Sequence, residues 1–342
     1  MQQALLEQMA QQSELYRPSS FWEEASKDIL QGFVTEGVQS FRSQPQPLMF
    51  FVPTYGYPGN GLAPEMTQAV QAQLEAHQVT PKQQSAFDGF LGGESAALAD
   101  YRVLQAANFS SKFKGLLDFS ESQVGEPIEQ FEFEDKRYSR SALNYLLGLS
   151  FFNQFADLSN ISTVMEIGGG FGTLGEITQK VLPDCKYIDI DIPPTLFASD
   201  YYLRQVFGEE QVTRFDSYVE ADSLEIERLA PISVLPSWKI EALQGEVDLF
   251  VNFISFQEME PHIVQNYLDH VSRLQSKWVL LRNMREGKQT RQQHRVGVEK
   301  PIFSEDYVKM LPDYELVATN VWPFGFKTTD NFHSELMLFK RT

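Results

Sequence analysis

The chain reads as an α/β protein: a mostly parallel, doubly wound sheet over residues 151–342, preceded by a mostly helical accessory region over 1–150. Three observations predict this. First, Val164-Met165-Glu166-Ile167 runs straight into Gly168, Gly169, Gly170 and Gly172, and a helical apolar pattern resumes through Ile177 and Val181. That is a strand, a tight turn and a helix, the turn stripped of Cβ atoms so that backbone can press against a ligand. Second, another strand-like run, 186–191, ends in Asp191 about 20 residues beyond the glycines, where an acid can hold a ribose hydroxyl. Third, apolar runs alternate with helical patterns from residue 160 onward, as in parallel strands joined by helices.

Taken in order, residues 21–41 form an amphipathic helix, with Phe21, Trp22, Ala25, Ile29, Phe33 and Val38 at roughly helical steps. Ser19 or Ser20 is its cap. A turn-rich stretch, 50–59, precedes helical patterns at 64–76 and 94–107, and a helix over 139–155 leads into the first strand. One role open to this region is to cap an active site. Beyond it, strands are expected at 164–167, 186–191, 232–235, 247–254 and 278–282. Two more, 314–321 and 335–340, close the chain around a Pro- and Gly-containing segment. An ending of this kind, with the last strand antiparallel, is usual for class I methyltransferases and unusual for simple dehydrogenases.

Composition narrows the classes. The 342 residues suit two domains or one with a large appendage, and 42% hydrophobic with 13% aromatic residues supply a core. Against 46 acidic residues stand 28 basic ones, a net charge of −18 that repels nucleic acid and anionic membrane. Residues 1–12 are polar and Gln-rich, without an apolar signal core, and no run approaches a membrane span. The single cysteine, Cys185, allows no internal disulfide, so a cytoplasmic protein is expected. Homo-oligomerisation stays open.

The glycines can be framed in two ways. Gly170, Gly172 and Gly175 fit Gly-x-Gly-x-x-Gly, which suggests a nicotinamide dinucleotide and an oxidoreductase. The frame Glu166-x-Gly168-x-Gly170-x-Gly172 uses the strand end properly and adds an acid whose carboxylate can meet loop N–H groups or a ligand ammonium. S-adenosylmethionine needs those features, and the expected cofactor residues are Glu166, Gly168, Gly169, Gly170, Gly172 and Asp191, with Asn252 near the end of the fourth strand. Asp189 is placed to brace the glycine loop. A non-catalytic, partner-binding descendant of such a fold is the third alternative.

Several phrases carry a family resemblance. They are the run 166–176, Tyr187-Ile188-Asp189-Ile190-Asp191-Ile192-Pro193-Pro194-Thr195, Tyr201-Tyr202-Leu203 and Asn252-Phe253-Ile254-Ser255-Phe256-Gln257-Glu258-Met259. Ser20-Phe21-Trp22 and Tyr138-Ser139-Arg140-Ser141-Ala142-Leu143-Asn144-Tyr145 extend them over most of the chain. Together they resemble a sugar O-methyltransferase family of bacteria. The resemblance implies the Rossmann-like class I methyltransferase fold, S-adenosylmethionine, and a sugar or sugar-nucleotide substrate. One departure stands out: Pro236-Ser237-Trp238 replaces the acid or amide that usually follows strand three and reads adenine.

Methyl transfer to a hydroxyl is an in-line displacement helped by alignment and by a base. The loop after strand four offers Glu258, Glu260 and His262, with Pro261 starting a helix. Glu258 is the first choice as base, against an ion pair or a cap; His262 is the second, against a solvated first-turn histidine. Asp248 and His270 read as structural. Lys288, Arg291, Arg295 and Lys300, with His294, form a basic loop in an acidic chain, either a lid for an anionic group or a solvated loop. The five histidines, His333 and His77 included, show no metal-ligand spacing, while magnesium from scattered carboxylates stays open.

Overall fold

The computed structural model describes residues 2–52, 62–109, 111–291, 297–320 and 334–342, together with the backbone but not the side chains of Ser20 and Phe21. The turn-rich residues 53–59, His294, Arg295 and the connection 322–333 with His333 lie outside the described residues.

The sheet has seven strands: β1 Thr163–Ile167, β2 Lys186–Asp191, β3 Ile232–Pro236, β4 Leu249–Phe253, β5 Trp278–Met284, β6 Tyr314–Asn320 and β7 Ser334–Arg341. Their spatial order is β6-β7-β5-β4-β1-β2-β3. Strands β1 to β5 pair in parallel, and β7 lies antiparallel between β5 and β6. This is the Rossmann-like sheet of class I methyltransferases, antiparallel last strand included. Every residue of β1, β3 and β4 is buried, as expected of strands covered on both faces. The edge strand β6 instead alternates, turning every second residue outward. From β1 the chain continues to β2 and β3 on one side and then returns to β4 on the other side of β1, so strand order reverses between β1 and β4, the place where such sheets bind ligands.

The accessory region departs from the sequence-based reading in several places. The helix predicted over 21–41 is Ser20–Glu36, stopped by Gly37 at φ 82°, whose N–H caps the Phe33 carbonyl. Ser19 occupies the cap position but makes no side-chain cap bond; its hydroxyl donates to the Glu258 carbonyl. Helix Pro64–Ala76 has the predicted bounds, and the next predicted one runs on to Phe109. Helices Gln2–Gln11, Pro45–Phe51 and Pro81–Leu91 were not foreseen, nor was the small hairpin Phe131–Phe133/Lys136–Tyr138. The helix Arg140–Phe155, capped by the Ser139 hydroxyl on the Ala142 N–H, passes without a break through residue 150. Among the described residues no helix is long and apolar enough to cross a membrane.

Candidate active site

The turn after β1 is shaped by φ values open only to glycine at low cost: 74° at Gly168, 63° at Gly170 and 92° at Gly172. It is fastened from below by the β2 acids. Gly169 N donates to Asp189 Oδ1 at 3.2 Å, and Gly170 N to Asp191 Oδ2 at 3.2 Å. Asp189, which also accepts the Ser199 hydroxyl at 2.7 Å, therefore braces the loop. Asp191 accepts the Ile192 N–H at 2.7 Å as well, and a carboxylate has further lone pairs for a ligand hydroxyl. The glycines differ in what surrounds them. A Cβ on Gly168 would sit 2.4 Å from Ser255 Oγ, and one on Gly169 2.6 Å from Asp189 Oδ1. Among the described residues it would meet on Gly170 only Phe51 Cδ1, at 3.9 Å, so of the three this glycine has the most room there.

Glu166 departs from expectation. Its carboxylate meets neither loop N–H groups nor the open side: it accepts the hydroxyls of Tyr145 and Tyr187, each at 2.7 Å, and is fully buried. The parallel ladder sets it directly beside Asp189. Burial first, then the Asp189 charge, push Glu166 up to about 8. Burial raises Asp189 to about 7, against the lowering hydrogen bonds from Ser199 and Gly169. Asp191 is also driven well above the carboxylate range, by burial and then by Asp189.

These shifts fix a sign. A carboxyl whose folded value lies above its unfolded one holds an extra proton in the folded state. The stability it contributes is complete below its ordinary value near 4.5 and is lost as pH rises through about 8 for Glu166. Glu166→Gln keeps the polar contacts and removes the titration. Thermal melts of this variant are expected to decline less between about pH 5 and pH 8 than those of the wild type. Parallel curves would show that the proton sits elsewhere.

Asn252 also needs correction as a ligand contact. It is fully buried, with its amide N–H groups on Ile167 O at 2.9 Å and Ser255 Oγ at 2.6 Å. Its oxygen accepts from Phe256 N at 3.3 Å and Asn283 Nδ2 at 3.2 Å. Thus it ties the end of β1 to the loop after β4 and to β5, with little capacity left for a ligand.

Glu258 closes a short 3₁₀ turn, Ser255–Glu258, just past β4. One oxygen pairs with Lys288 Nζ at 3.1 Å and the other accepts Trp22 Nε1 at 3.1 Å. The side chains of Lys288 and Glu258 are only 5% and 8% exposed. Lys288 is therefore a buried partner of the candidate base rather than a solvated cation of a basic loop. His262, in the first turn of helix Pro261–Arg273, is 56% exposed and stands 3.7 Å from Glu14. Glu260 accepts the N–H groups of Glu299 at 2.8 Å and Lys300 at 3.1 Å, pinning that segment. Asp248, at the far end of the sheet, accepts Ser162 N and Lys277 Nζ and is structural. The sequence-based reading missed Trp22, Tyr145, Tyr187 and the pairing of Lys288 with Glu258, because none of these contacts leaves a local pattern.

No family model and no curated protein matches the chain. Similar solved structures include an S-adenosylmethionine-dependent methyltransferase from Aquifex aeolicus, 13% identical, covering 56% of this chain and 89% of its own, with a TM-score of 0.37. Another is magnesium protoporphyrin IX methyltransferase from Synechocystis PCC 6803 with bound S-adenosylmethionine, 11% identical over 60% of this chain and 86% of that one, TM-score 0.38. A mitomycin 7-O-methyltransferase is 12% identical over 71% and 67% respectively, TM-score 0.37. The superpositions are loose, so the fold assignment rests on the strand order described above.

Proposed function

We propose that this chain is an S-adenosylmethionine-dependent O-methyltransferase acting on a hydroxyl of a sugar or a glycosylated metabolite. The observation that carries the cofactor is the turn at the switch point between β1 and β4, where Gly170 is the least crowded of the loop glycines among the described residues and its N–H rests on Asp191. These groups fit the cofactor: bare backbone at Gly168, Gly169, Gly170 and Gly172 for its amino-acid part, and the Asp191 carboxylate for its ribose. Glu166 supports that cradle from beneath, and Asn252 fixes its edge. The bound cofactor would supply an electrophilic methyl group on a sulfonium. The protein's part is to orient an acceptor hydroxyl, exclude water and take its proton. Glu258, past the end of β4, is the proposed base, with Lys288 and Trp22 holding its two oxygens; His262 is the alternative. The sugar class is supported by the phrases 191–195 and 255–259, through the family resemblance alone.

Titration calorimetry with S-adenosylhomocysteine tests the cofactor. Binding is expected, and binding of NADH in its place would favour hydride transfer. Asp191→Ala should weaken S-adenosylhomocysteine by the worth of the hydrogen bonds lost, roughly 0.5 to 1.5 kcal/mol each. A change confined to turnover at unaltered affinity would remove Asp191 from the ribose site.

A further inference from the structure

The connection between helices Gln2–Gln11 and Ser20–Glu36 touches the carboxyl end of the sheet at two separate places. At the β3 end, Ser237 Oγ donates to the Tyr16 carbonyl at 2.6 Å. The Tyr16 hydroxyl donates to Glu241 Oε1 at 2.6 Å and lies 3.1 Å from Nε2 of His270, which, like Tyr267, belongs to helix Pro261–Arg273 beyond β4. Its ring stands edge-on to Tyr267, with centroids 6.1 Å apart. At the β4 end, Ser19 Oγ donates to the Glu258 carbonyl at 2.9 Å and Trp22 Nε1 to the Glu258 carboxylate at 3.1 Å. The Trp22 ring packs on Phe50, with centroids 5.0 Å apart.

In the sheet, β3 and β4 are separated by β2 and β1. Three strand spacings amount to about 14 Å, and the three residues from Tyr16 to Ser19 reach about 10 Å when extended. Side chains at both ends make up the remainder. A segment fastened at both places spans the carboxyl edge of the sheet between the ends of β3 and β4, the edge on which the glycine loop and Asp191 stand. On the cofactor reading given above, the geometry points to residues 13–22 as a strap closed over the cofactor site. It is latched by Tyr16 on one side and by Ser19 and Trp22 on the other. Entry and exit of cofactor require the strap to lift. Its Trp22 end also grips Glu258, so closure of the strap and placement of the candidate base are one event.

The double variant Tyr16→Phe/Ser19→Ala removes hydroxyl bonds from both latches while keeping the Tyr16 ring and Trp22. Stopped-flow binding of S-adenosylhomocysteine is the measurement. An unlatched strap opens more often, so association and dissociation should both quicken about tenfold, as expected from losing one or two net hydrogen bonds. The Kd should then move little. Unchanged rates, or a rise in dissociation alone, would make these ordinary surface contacts and overturn the strap while leaving the cofactor reading intact. Binding by the variant but not by the wild type would show a cover that excludes the ligand, and both readings would stand. Binding by neither protein overturns both. Should the variant fold poorly, hydrogen exchange on the wild type decides. Amides of 14–19 are expected to slow at least about tenfold when S-adenosylhomocysteine is added, and no slowing overturns the strap.

Discussion

Glu258→Gln is expected to lower turnover at saturating substrate about 10²- to 10⁴-fold, the usual worth of a positioned base, with little change in affinity for either ligand. Gln keeps the shape and a hydrogen bond for Trp22 Nε1 but removes basicity. It also leaves Lys288 buried beside a neutral amide, and removing one partner of a buried ion pair costs stability. Turnover is therefore compared well below the midpoint of each variant's thermal melt. His262→Ala should act far more weakly, because that imidazole is more than half exposed and sits beside Glu14. Near-normal turnover in Glu258→Gln, beside a collapse in His262→Ala, would reverse the two roles.

The second large effect is expected at Gly170. Its φ of 63° makes a β-branched residue a strong outlier, and the added methyl groups of Val would enter the space that, among the described residues, only Phe51 borders. Gly170→Val should lose roughly 100-fold or more in S-adenosylhomocysteine affinity, at about 1.4 kcal/mol per tenfold, with its circular dichroism retained. Gly170→Ala should fall between, since the αL penalty for an L-residue is only about 1 to 2 kcal/mol. Gly168→Val is not an equivalent probe. There the Cβ would collide with Ser255, displacing the loop after β4, so loss of binding could follow from damage to the fold. Undiminished affinity in Gly170→Val would sink the assignment of this turn to the cofactor.

What was legible in the sequence is what the chain encodes locally. β2 and helix Pro64–Ala76 emerge with the expected bounds, and the glycines with Asp189 and Asp191 meet because a strand, a turn and the next strand are short neighbours. Helix Pro81–Leu91 was missed because only Leu91 on it is buried, so its apolar stripe is faint. Its start is instead marked by the Thr80/Gln83 capping box. The rest of the site depends on distance along the chain. Trp22 lies 236 residues from the Glu258 it holds, and Lys288 lies 30 residues away. Periodicity carries no record of such pairings. Glu166 shows the same limit at shorter range: its place at the end of a strand was plain, while the two phenols that enclose it come from a helix and from the adjoining strand.

Helix Arg140–Phe155 carries a consequence for how such a chain can be rearranged. Asn153 grips the accessory region, donating to the Phe113 carbonyl at 2.7 Å and accepting its N–H at 3.2 Å. Tyr145 and Phe152, on the same helix, reach Glu166 and the Trp278 ring at the start of β5. A crossover at residue 150 would part Tyr145 from the acid it satisfies and put the halves of one helix under separate inheritance. A junction ahead of Ser139 would keep this helix and the sheet together, at the cost of the Asn153–Phe113 contacts that cross it.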